Sequence, residues 1–153
     1  MILNVKIKQF FRNMGITLDR YPTGVLRQRM MLIRHFGVNS IYDVGANVGQ
    51  YGRTMRALGY RGRIMSFEPL KEAFRQLEKK CSKDPLWHAW NLGIGSHCEE
   101  KMINVSKNSV SSSFQDMLPA HLENSPDSFY IQKAQATLRS FDSVFLENHS
   151  ESD

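Results

Sequence analysis

Apolar residues in the first third of the chain recur at helical spacing. The positions that follow one another at steps of three or four residues are Val25, Leu26, Met30, Ile33 and Phe36. Thr23 can cap the start of this segment and Gly37 can end it, so the pattern predicts a helix over residues 25–36. A mixed segment over residues 5–14 predicts a further short helix, which makes residues 1–38 an N-terminal helical segment.

Short apolar runs then alternate with amphipathic segments. The runs predict strands over residues 40–44, 63–67 and 86–92, and the segments between them predict helices over residues 50–58 and 70–80. Strands joined by helices at this spacing form right-handed parallel crossovers. The predicted fold class is therefore α/β, with a Rossmann-like parallel sheet.

The pattern weakens toward the C-terminus. Residues 101–105 are a plausible fourth strand, residues 116–124 a short helix and residues 131–138 a further strand, whereas residues 147–153 are a polar tail with no packing face. The expected organisation is one Rossmann-like cofactor-binding domain over residues 39–146, between the helical segment and the tail.

The composition is that of an ordinary globular domain. Of the 153 residues, 41% are apolar and 23% are charged. No apolar run reaches the roughly 20 residues that span a bilayer, and the charged N-terminus lacks the uninterrupted apolar core of a signal peptide. We therefore expect a cytoplasmic protein with no membrane partner.

Charge distribution and cysteine usage argue against two classes of ligand. Residues 1–80 hold 15 Lys and Arg against 5 Asp and Glu, whereas residues 81–153 hold 5 against 10. A basic part followed by an acidic part suggests two parts of one domain that neutralise each other, which argues against a nucleic-acid partner. Cys81 and Cys98 fit no metal or redox spacing, so no metal site is predicted.

The candidate site follows the first predicted strand, in the turn Asp43-Val-Gly-Ala-Asn-Val-Gly49. Ligands of a parallel sheet bind at the carboxyl ends of the strands, where this turn lies. Gly45 and Gly49 allow positive φ and a close approach of the backbone to a ligand, and Asn47 is the non-glycine residue that best tolerates the left-handed region. The helix that begins near Gly49 offers free N–H groups to a carboxylate or phosphate.

An acidic residue ends the second predicted strand. Glu68 stands 19 positions after Gly49, and a carboxylate there can accept hydrogen bonds from both hydroxyls of a ribose. The turn and Glu68 are placed by one strand–helix–strand unit. Together they predict a site for a nucleoside-containing cofactor.

Two cofactor classes fit such a site. A nicotinamide dinucleotide would use the pattern Gly-x-Gly-x-x-Gly, but when Gly49 and Gly52 are aligned with it, Asn47 replaces the first glycine and crowds a pyrophosphate. The carboxylate of Asp43 would repel a diphosphate, whereas it suits the amino and sulfonium charges of S-adenosylmethionine. The methyl donor is favoured, and an NAD(P)-dependent oxidoreductase is the alternative.

Two segments of this region together resemble the FkbM-type S-adenosylmethionine-dependent methyltransferases. They are Ile41-Tyr-Asp-Val-Gly-Ala-Asn-Val-Gly-Gln-Tyr51 and Gly62-Arg-Ile-Met-Ser-Phe-Glu-Pro69. The resemblance covers roughly residues 24–146 and implies a class I methyltransferase sheet. Weaker agreement comes from Asn91-Leu-Gly-Ile-Gly95, Ser111-Ser112-Ser113 and Thr137-Leu-Arg-Ser-Phe-Asp142.

The resemblance implies a reaction and a role for each motif residue. The methionine end of the cofactor would be lined by Asp43, Gly45, Asn47, Gly49 and Tyr51. Glu68 would hold the ribose, and Asn91 would lie near the adenine. Family members methylate oxygen atoms, often hydroxyls of sugars or of polyketide-type natural products, so the expected partner is a small-molecule or glycan acceptor. No residue can be named as the catalytic base, and the Ser111–Ser113 loop is the part expected to touch the acceptor.

The family pattern extends beyond the last residue of this sequence. After the segment that matches residues 137–146, the family has a strand with a Lys-Ile-Asp-Val-x-Gly-like motif, whereas this sequence ends at Asp153. The expected sheet is therefore incomplete, with an apolar strand edge that a longer chain or an oligomer would cover. A non-catalytic fragment that serves in assembly is the third hypothesis.

Overall fold

The computed structural model describes most of the chain. The described residues are 22–107, 112–115 and 129–150, together with Ile7, Phe10, Asn13 and Met14. The helix predicted over residues 116–124 and the side chain of Ser111 lie outside them. The chain forms two compact units, Met1–Val38 and Asn39–Asp153.

The first unit contains helix α1, which spans Gly24–His35 and confirms the helix predicted over residues 25–36. The Thr23 hydroxyl accepts a hydrogen bond from the Leu26 amide at 3.4 Å, as an N-cap residue does. Gly37 follows the helix with a φ of 61°, so the predicted glycine stop is also confirmed. In the short helix predicted before α1, three described residues are helical: Ile7, Phe10 and Asn13.

The second unit begins with a parallel sheet and its connecting helices. Strands β1 (Ser40–Val44), β2 (Arg63–Phe67) and β3 (Trp87–Trp90) are neighbours in that order, and helices α2 (Gln50–Ala57) and α3 (Lys71–Cys81) connect them. The predicted bounds of the first two strands are confirmed, and each helix end lies within one residue of its prediction. Each apolar run is long enough for one strand and stops at turn residues.

The third strand is shorter than the sequence predicts. It ends at Trp90 rather than at residue 92, because the side-chain amide of Asn91 donates to the backbone carbonyls of Glu68, at 2.9 Å, and Pro69, at 3.1 Å. These bonds hold Asn91 against the loop after β2. The chain therefore bends at Asn91 instead of continuing the strand.

The remaining strands form a second sheet. Strands β4 (Gly93–Gly95), β5 (Glu99–Ser106) and β6 (Tyr130–Ser140) lie in the order β4-β6-β5. β4 is parallel to β6, whereas β5 and β6 are antiparallel, with Val105 opposite Gln132. The α/β class is confirmed, but the fourth predicted strand belongs to this mixed sheet and does not extend the parallel one. The antiparallel pairing of β5 with β6 accounts for the difference.

Helix α4 (Phe141–Ser150) follows β6 and covers one face of the parallel sheet. Its buried Val144 packs in a core cluster with Met65, Phe67 and Leu92. Tyr42 of β1 meets Phe141 edge to face, with ring centroids 4.9 Å apart. The helix continues four residues into the segment predicted as a polar tail, where Glu147 accepts a hydrogen bond from Arg139 Nη1 at 2.9 Å.

Arg56 ties together the loops at the opposite end of the sheet from the candidate site. Its Nε donates to Asp84 Oδ2 at 2.6 Å. Its Nη1 donates to the carbonyls of Tyr60 and Gly62, at 3.0 Å and 2.8 Å, and its Nη2 donates to the Leu86 carbonyl at 3.1 Å. One guanidinium therefore joins the end of α2 to the loops that enter β2 and β3.

Within the described part of the chain, no helix is long and apolar enough to cross a membrane.

Candidate functional site

The turn after β1 has the left-handed backbone that the sequence predicts. The φ angle is 75° at Gly45, 48° at Asn47 and 81° at Gly49. The amides of Gly45 and Ala46 both donate to the Phe67 carbonyl at 3.0 Å, which bonds the turn to the end of β2. The glycines and the asparagine therefore meet a conformational requirement of this turn.

Two glycines let the start of α2 approach the ring of Trp87. A β-carbon on Gly52 would lie 2.3 Å from Trp87 Cζ2, and one on Gly49 would lie 2.9 Å from Leu77 Cδ1 and 3.2 Å from Trp87 Cζ2. The approaches of 2.3 Å and 2.9 Å are shorter than real carbon contacts allow, and that of 3.2 Å is tighter than most. Gly49 thus serves the packing of α2 against β3 and α3, a role that the sequence pattern did not indicate.

Glu68 joins two parts of the site. It is 5% exposed at the end of β2. Its Oε2 accepts a hydrogen bond from the Asn47 amide at 2.7 Å, and its Oε1 accepts one from the Leu70 amide at 2.9 Å. One carboxylate therefore holds the glycine turn and the start of α3 together. Because a carboxylate has about four acceptor positions, Glu68 keeps capacity for hydroxyl groups of a ligand.

A chain of hydrogen bonds ends on Asp43. The Trp87 Nε1 donates to Ser66 Oγ at 3.0 Å, and Ser66 Oγ donates to Asp43 Oδ2 at 3.3 Å. Ser66 is fully buried, and Asp43 is partly buried at the carboxyl end of β1. The indole and the hydroxyl thus fix the direction of the Asp43 carboxylate.

Burial raises the pKa of both carboxyl groups. Desolvation raises the pKa of Asp43, and the hydrogen bond from Ser66 opposes this effect. Desolvation has the largest effect on Glu68 and raises its pKa. The hydrogen bonds from the amides of Leu70 and Asn47 lower this pKa, and the nearby charge of Asp43 raises it. A cationic ligand beside these groups would favour their ionised forms.

A cavity of about 280 Å³ lies beside the turn, and we call it the turn cavity. Its volume is near the lower end of the roughly 300–1,000 Å³ that small-molecule sites have. Of the predicted site residues, the structure places three in its lining: Gly45, Asn47 and Glu68. The other predicted residues are not among its described lining residues: Asp43, Gly49, Tyr51 and Asn91.

Several lining residues were not predicted from the sequence. They are Val44, Pro69, Leu70, Gly93, Ile94, Ile103 and Phe114. Gly93 also allows close packing of β6, since a β-carbon there would lie 2.6 Å from Leu138 Cδ2. Its segment, Asn91–Gly95, is one that carries the family resemblance, so a signal for Gly93 was present in the sequence. Ile103 lies on β5, and its position depends on the pairing of β5 with β6, a strand that is distant along the chain.

The serine segment lines the turn cavity together with Glu68. Ser112 and Ser113 are the lining residues of this segment that the structure describes. Ser113 is bonded to β5, since its amide donates to the Asn104 carbonyl at 3.0 Å and its carbonyl accepts from the Asn104 amide at 2.8 Å. The structure therefore brings these serines to the residues expected to hold the cofactor.

Tyr51 and Asn91 are not among the described lining residues of the turn cavity. Tyr51 is partly buried in the first turn of α2. The side-chain amide of Asn91 is bonded to the Glu68 and Pro69 carbonyls, so it supports the loop that carries Glu68. The sequence pattern also missed Lys80, whose Nζ donates to the Val48 carbonyl and anchors the turn from the far end of α3.

The described residues contain no group of three or more His, Cys, Asp or Glu side chains placed to hold a metal ion. The described lining of the turn cavity holds one carboxylate, that of Glu68, together with Asn47, two serines and apolar residues.

Residues 43–153 match the methyltransferase FkbM domain. The chain belongs to the FkbM methyltransferase domain family. The matching region begins at Asp43, near the end of β1, and includes the glycine turn, Glu68, β2, β3 and the second sheet, so the resemblance seen in the sequence is confirmed.

Among solved structures, methyltransferase FkbM from Methylobacillus flagellatus KT is similar to this chain. The sequence identity is 12% and the TM-score is 0.43. The similarity covers 69% of this chain and 22% of that protein, so the chain spans less than a quarter of its length. No curated protein matches the sequence.

Proposed function

We propose that this chain is the S-adenosylmethionine-binding part of a methyltransferase that methylates a hydroxyl group of a sugar or another small molecule. One observation carries the proposal: the buried Glu68 carboxylate lines the turn cavity while it holds the amides of Asn47 and Leu70. Membership of the FkbM family supports methyl transfer as the reaction.

The chemistry of Glu68 fits the ribose of this cofactor. An ionised carboxylate only accepts hydrogen bonds, and the two ribose hydroxyls need acceptors. Glu68 is the single ionisable side chain among the described lining residues of the turn cavity. A ligand with net positive charge would therefore meet a negative site.

Asp43 extends this argument to the other end of the cofactor. Its carboxylate is fixed by Ser66 and lies near enough to Glu68 to raise the pKa of that group. Two neighbouring carboxylates repel a diphosphate, whereas they attract ammonium and sulfonium groups. This contrast favours S-adenosylmethionine over a nicotinamide dinucleotide.

The residues of this chain would bind and orient the cofactor. When bound, the cofactor would supply an electrophilic methyl group on a sulfonium sulfur. Glu68 would hold the ribose hydroxyls, Asp43 would attract the cationic end, and the apolar wall of Ile94 and Ile103 would exclude water. Fixed positions of this kind convert binding energy into alignment of the reacting atoms.

The edge of β1 is a place where a partner strand could be added. Among the described strands, β1 pairs with β2 and with no other. Its other edge thus presents backbone groups that another segment or a second copy could bond. We propose that an oligomer, or a further segment of chain, covers this edge.

Isothermal titration calorimetry with S-adenosylmethionine tests the proposal. We expect binding by the wild-type chain and a loss of at least about tenfold in affinity for Glu68→Gln, which removes one ribose acceptor and the negative charge. Glu78→Gln is the matched control, because Glu78 is exposed on α3. Circular dichroism would establish that each variant is folded.

Two results would contradict the proposal. One is no binding by a folded wild-type sample. The other is binding of NAD⁺ that S-adenosylmethionine does not displace, which would favour the oxidoreductase alternative.

A further inference from the structure

Helix α1 and the residues that follow it expose an open apolar groove, which we call the α1 groove. It has a volume of about 320 Å³, and its apolar lining residues are Val25, Leu32, Ile33, Phe36 and Val38. Phe36 is 72% exposed and Val25 is 67% exposed. Contiguous apolar side chains that remain exposed commonly mark a binding surface. The first unit therefore presents a surface suited to a partner with apolar groups.

The most exposed residues of the α1 groove share one face of the helix. Val25, Leu32 and Phe36 follow one another at steps of seven and four residues, a spacing that returns to the same side of an α-helix. Arg29 also lines the groove. An arginine can rest its carbon stem on apolar surface while its guanidinium reaches a polar region. The face thus combines apolar side chains with a positive charge.

The first unit also carries the excess positive charge of the chain. Residues 1–38 hold 7 Lys and Arg against 1 Asp, a balance of +6, whereas residues 39–153 hold 13 against 14, a balance of −1. In α1 itself, Arg27, Arg29 and Arg34 are exposed, and the helix contains no acidic residue. An apolar groove in so basic a unit is complementary to a partner that is both apolar and anionic.

Exposed apolar side chains of the first unit are not confined to the α1 groove. Further ones in its described residues are Ile7, Phe10, Met14 and Met31. A protein partner needs one contiguous patch of complementary shape, and nucleic acid binds basic residues through its phosphates without large apolar groups. A lipid surface accepts dispersed apolar side chains among basic ones. This distribution favours a membrane over the other two classes of partner.

Two exposed arginines lie on the other side of α1 from the groove. At about 100° per residue, Arg27 and Arg34 are roughly half a turn around the helix from Val25. A helix with its side chains is about 10–12 Å wide, and the Debye length at physiological ionic strength is about 8 Å. Charges on the far side of a helix that rests on a bilayer are therefore only partly screened from the lipid phosphates.

We propose that the first unit binds the surface of an anionic membrane, with the α1 groove against the lipid. The expectation of no membrane partner rests on the absence of a run that spans the bilayer, whereas a helix that lies in the surface needs no such run. This surface belongs to a different unit from the candidate cofactor site, so membrane binding does not depend on the proposed function.

Co-sedimentation of the full chain with sucrose-loaded vesicles tests membrane binding. The vesicles contain phosphatidylcholine alone, or phosphatidylcholine and phosphatidylglycerol in a ratio of two to one. We expect binding to the anionic vesicles to be at least about tenfold tighter than binding to the neutral ones. Raising the salt concentration from about 0.1 M to about 1 M shortens the Debye length from about 10 Å to about 3 Å, and should weaken anionic binding by at least about tenfold.

Substitutions in α1 and the residue after it locate the binding surface. Phe36→Ser should weaken binding to anionic vesicles by at least about tenfold, because it removes a large apolar side chain from the groove. Met102→Ser is the matched control, since it removes an exposed apolar side chain from β5 in the other unit. If Phe36→Ser fails to fold by circular dichroism, Val25→Ser tests the same groove.

The electrostatic part has its own pair of variants. Arg34→Gln should weaken binding to anionic vesicles by about fivefold, the contribution of one Lys or Arg near an anionic surface. Arg75→Gln removes an exposed arginine from α3 in the other unit, and it should leave the binding unchanged.

Four results would overturn membrane binding by the α1 groove. Equal binding to neutral and anionic vesicles would show that the basic residues play no part. Equal binding by wild type and the folded groove variant would place the surface elsewhere. A duplex DNA oligonucleotide that displaces the chain from anionic vesicles would assign the basic surface to nucleic acid. A dimer in sedimentation velocity that the groove variant dissociates would assign the groove to a second copy of the chain.

Discussion

The indole ring of Trp87 occupies the space that a β-carbon on Gly52 would need, with Cζ2 only 2.3 Å from that position. The same ring donates to Ser66 through Nε1. Trp87 therefore fixes the approach of α2 on one side and the hydrogen bonds of Asp43 on the other. Helix packing and the geometry of the candidate site depend on one side chain.

Gly52→Ala should destabilise the protein. Alanine inside a helix is ordinarily more favourable than glycine by about 0.5–1 kcal/mol, but the clash with Trp87 should cost about 1–3 kcal/mol. Urea unfolding followed by tryptophan fluorescence measures the change. Gly24→Ala is the matched control, because nothing lies within 4 Å of a β-carbon there. Equal effects of the two substitutions would show that the Trp87 contact does not constrain position 52.

Ser66→Ala should move the pH dependence of cofactor binding. The variant removes the hydrogen bond that opposes desolvation of Asp43, so the pKa of Asp43 should rise further. Because the ionised carboxylate would attract the proposed cofactor, binding should weaken at a higher pH than in the wild type. Calorimetric titrations across the acidic range measure this shift. Ser82→Ala, which changes an exposed serine on the end of α3, should leave the profile unchanged.

Glu68 should make the unliganded protein lose stability as the pH rises. Its pKa in the folded chain is raised above the ordinary value of 4.5, so folding favours the protonated form. The resulting contribution is fully present below that ordinary value and is lost as the pH rises through the raised pKa. The unfolding free energy of the wild type should therefore fall relative to that of Glu68→Gln over this window. A constant difference between the two curves would show that the carboxyl group titrates alike in both states.

Arg56→Lys should lower the unfolding free energy by about 1–3 kcal/mol. A lysine cannot reach Asp84 and three backbone carbonyls at once, so acceptors in partly buried hydrogen bonds lose their donors. Arg75→Lys is the control, because the Arg75–Glu72 pair is exposed and contributes little. Urea midpoints of both variants give the comparison.

The same variant has a pH signature. The hydrogen bond from Arg56 lowers the pKa of Asp84 more than any other effect. That contribution to stability is present above the ordinary aspartate pKa of 3.8 and is lost as the pH falls through the lowered value. The difference between wild type and Arg56→Lys should therefore shrink in acid. A difference that stays constant would assign the effect to packing alone.

Local sequence patterns were sufficient to predict the strands and helices of the first half of the fold. β1 and β2 have their predicted bounds because each is an apolar run that ends at residues suited to turns, Gly45 in one case and Pro69 in the other. The second sheet could not be predicted in this way. β4 is a three-residue strand with two glycines, and only its pairing with β6, more than forty residues later, makes it a strand.

The features of the candidate site likewise divide into those that local sequence predicts and those that it does not. The positive φ at Asn47 and the position of Glu68 follow from residues close to the strand ends, and both were predicted. The bonds of Asn91 to the Glu68 loop and of Lys80 to the turn join residues distant in sequence. No periodicity in the chain encodes such contacts.

The two hydrogen bonds of Glu68 have a consequence for ligand screening. Because they join the turn to α3, a ligand that engages the Glu68 carboxylate would reinforce a contact between two elements of the folded chain. A ligand specific for the folded state raises the unfolding free energy by about 2.7 kcal/mol at a concentration a hundred times its dissociation constant. Thermal-shift assays on this chain should therefore rank cofactor analogues by affinity, even before the methyl acceptor is identified.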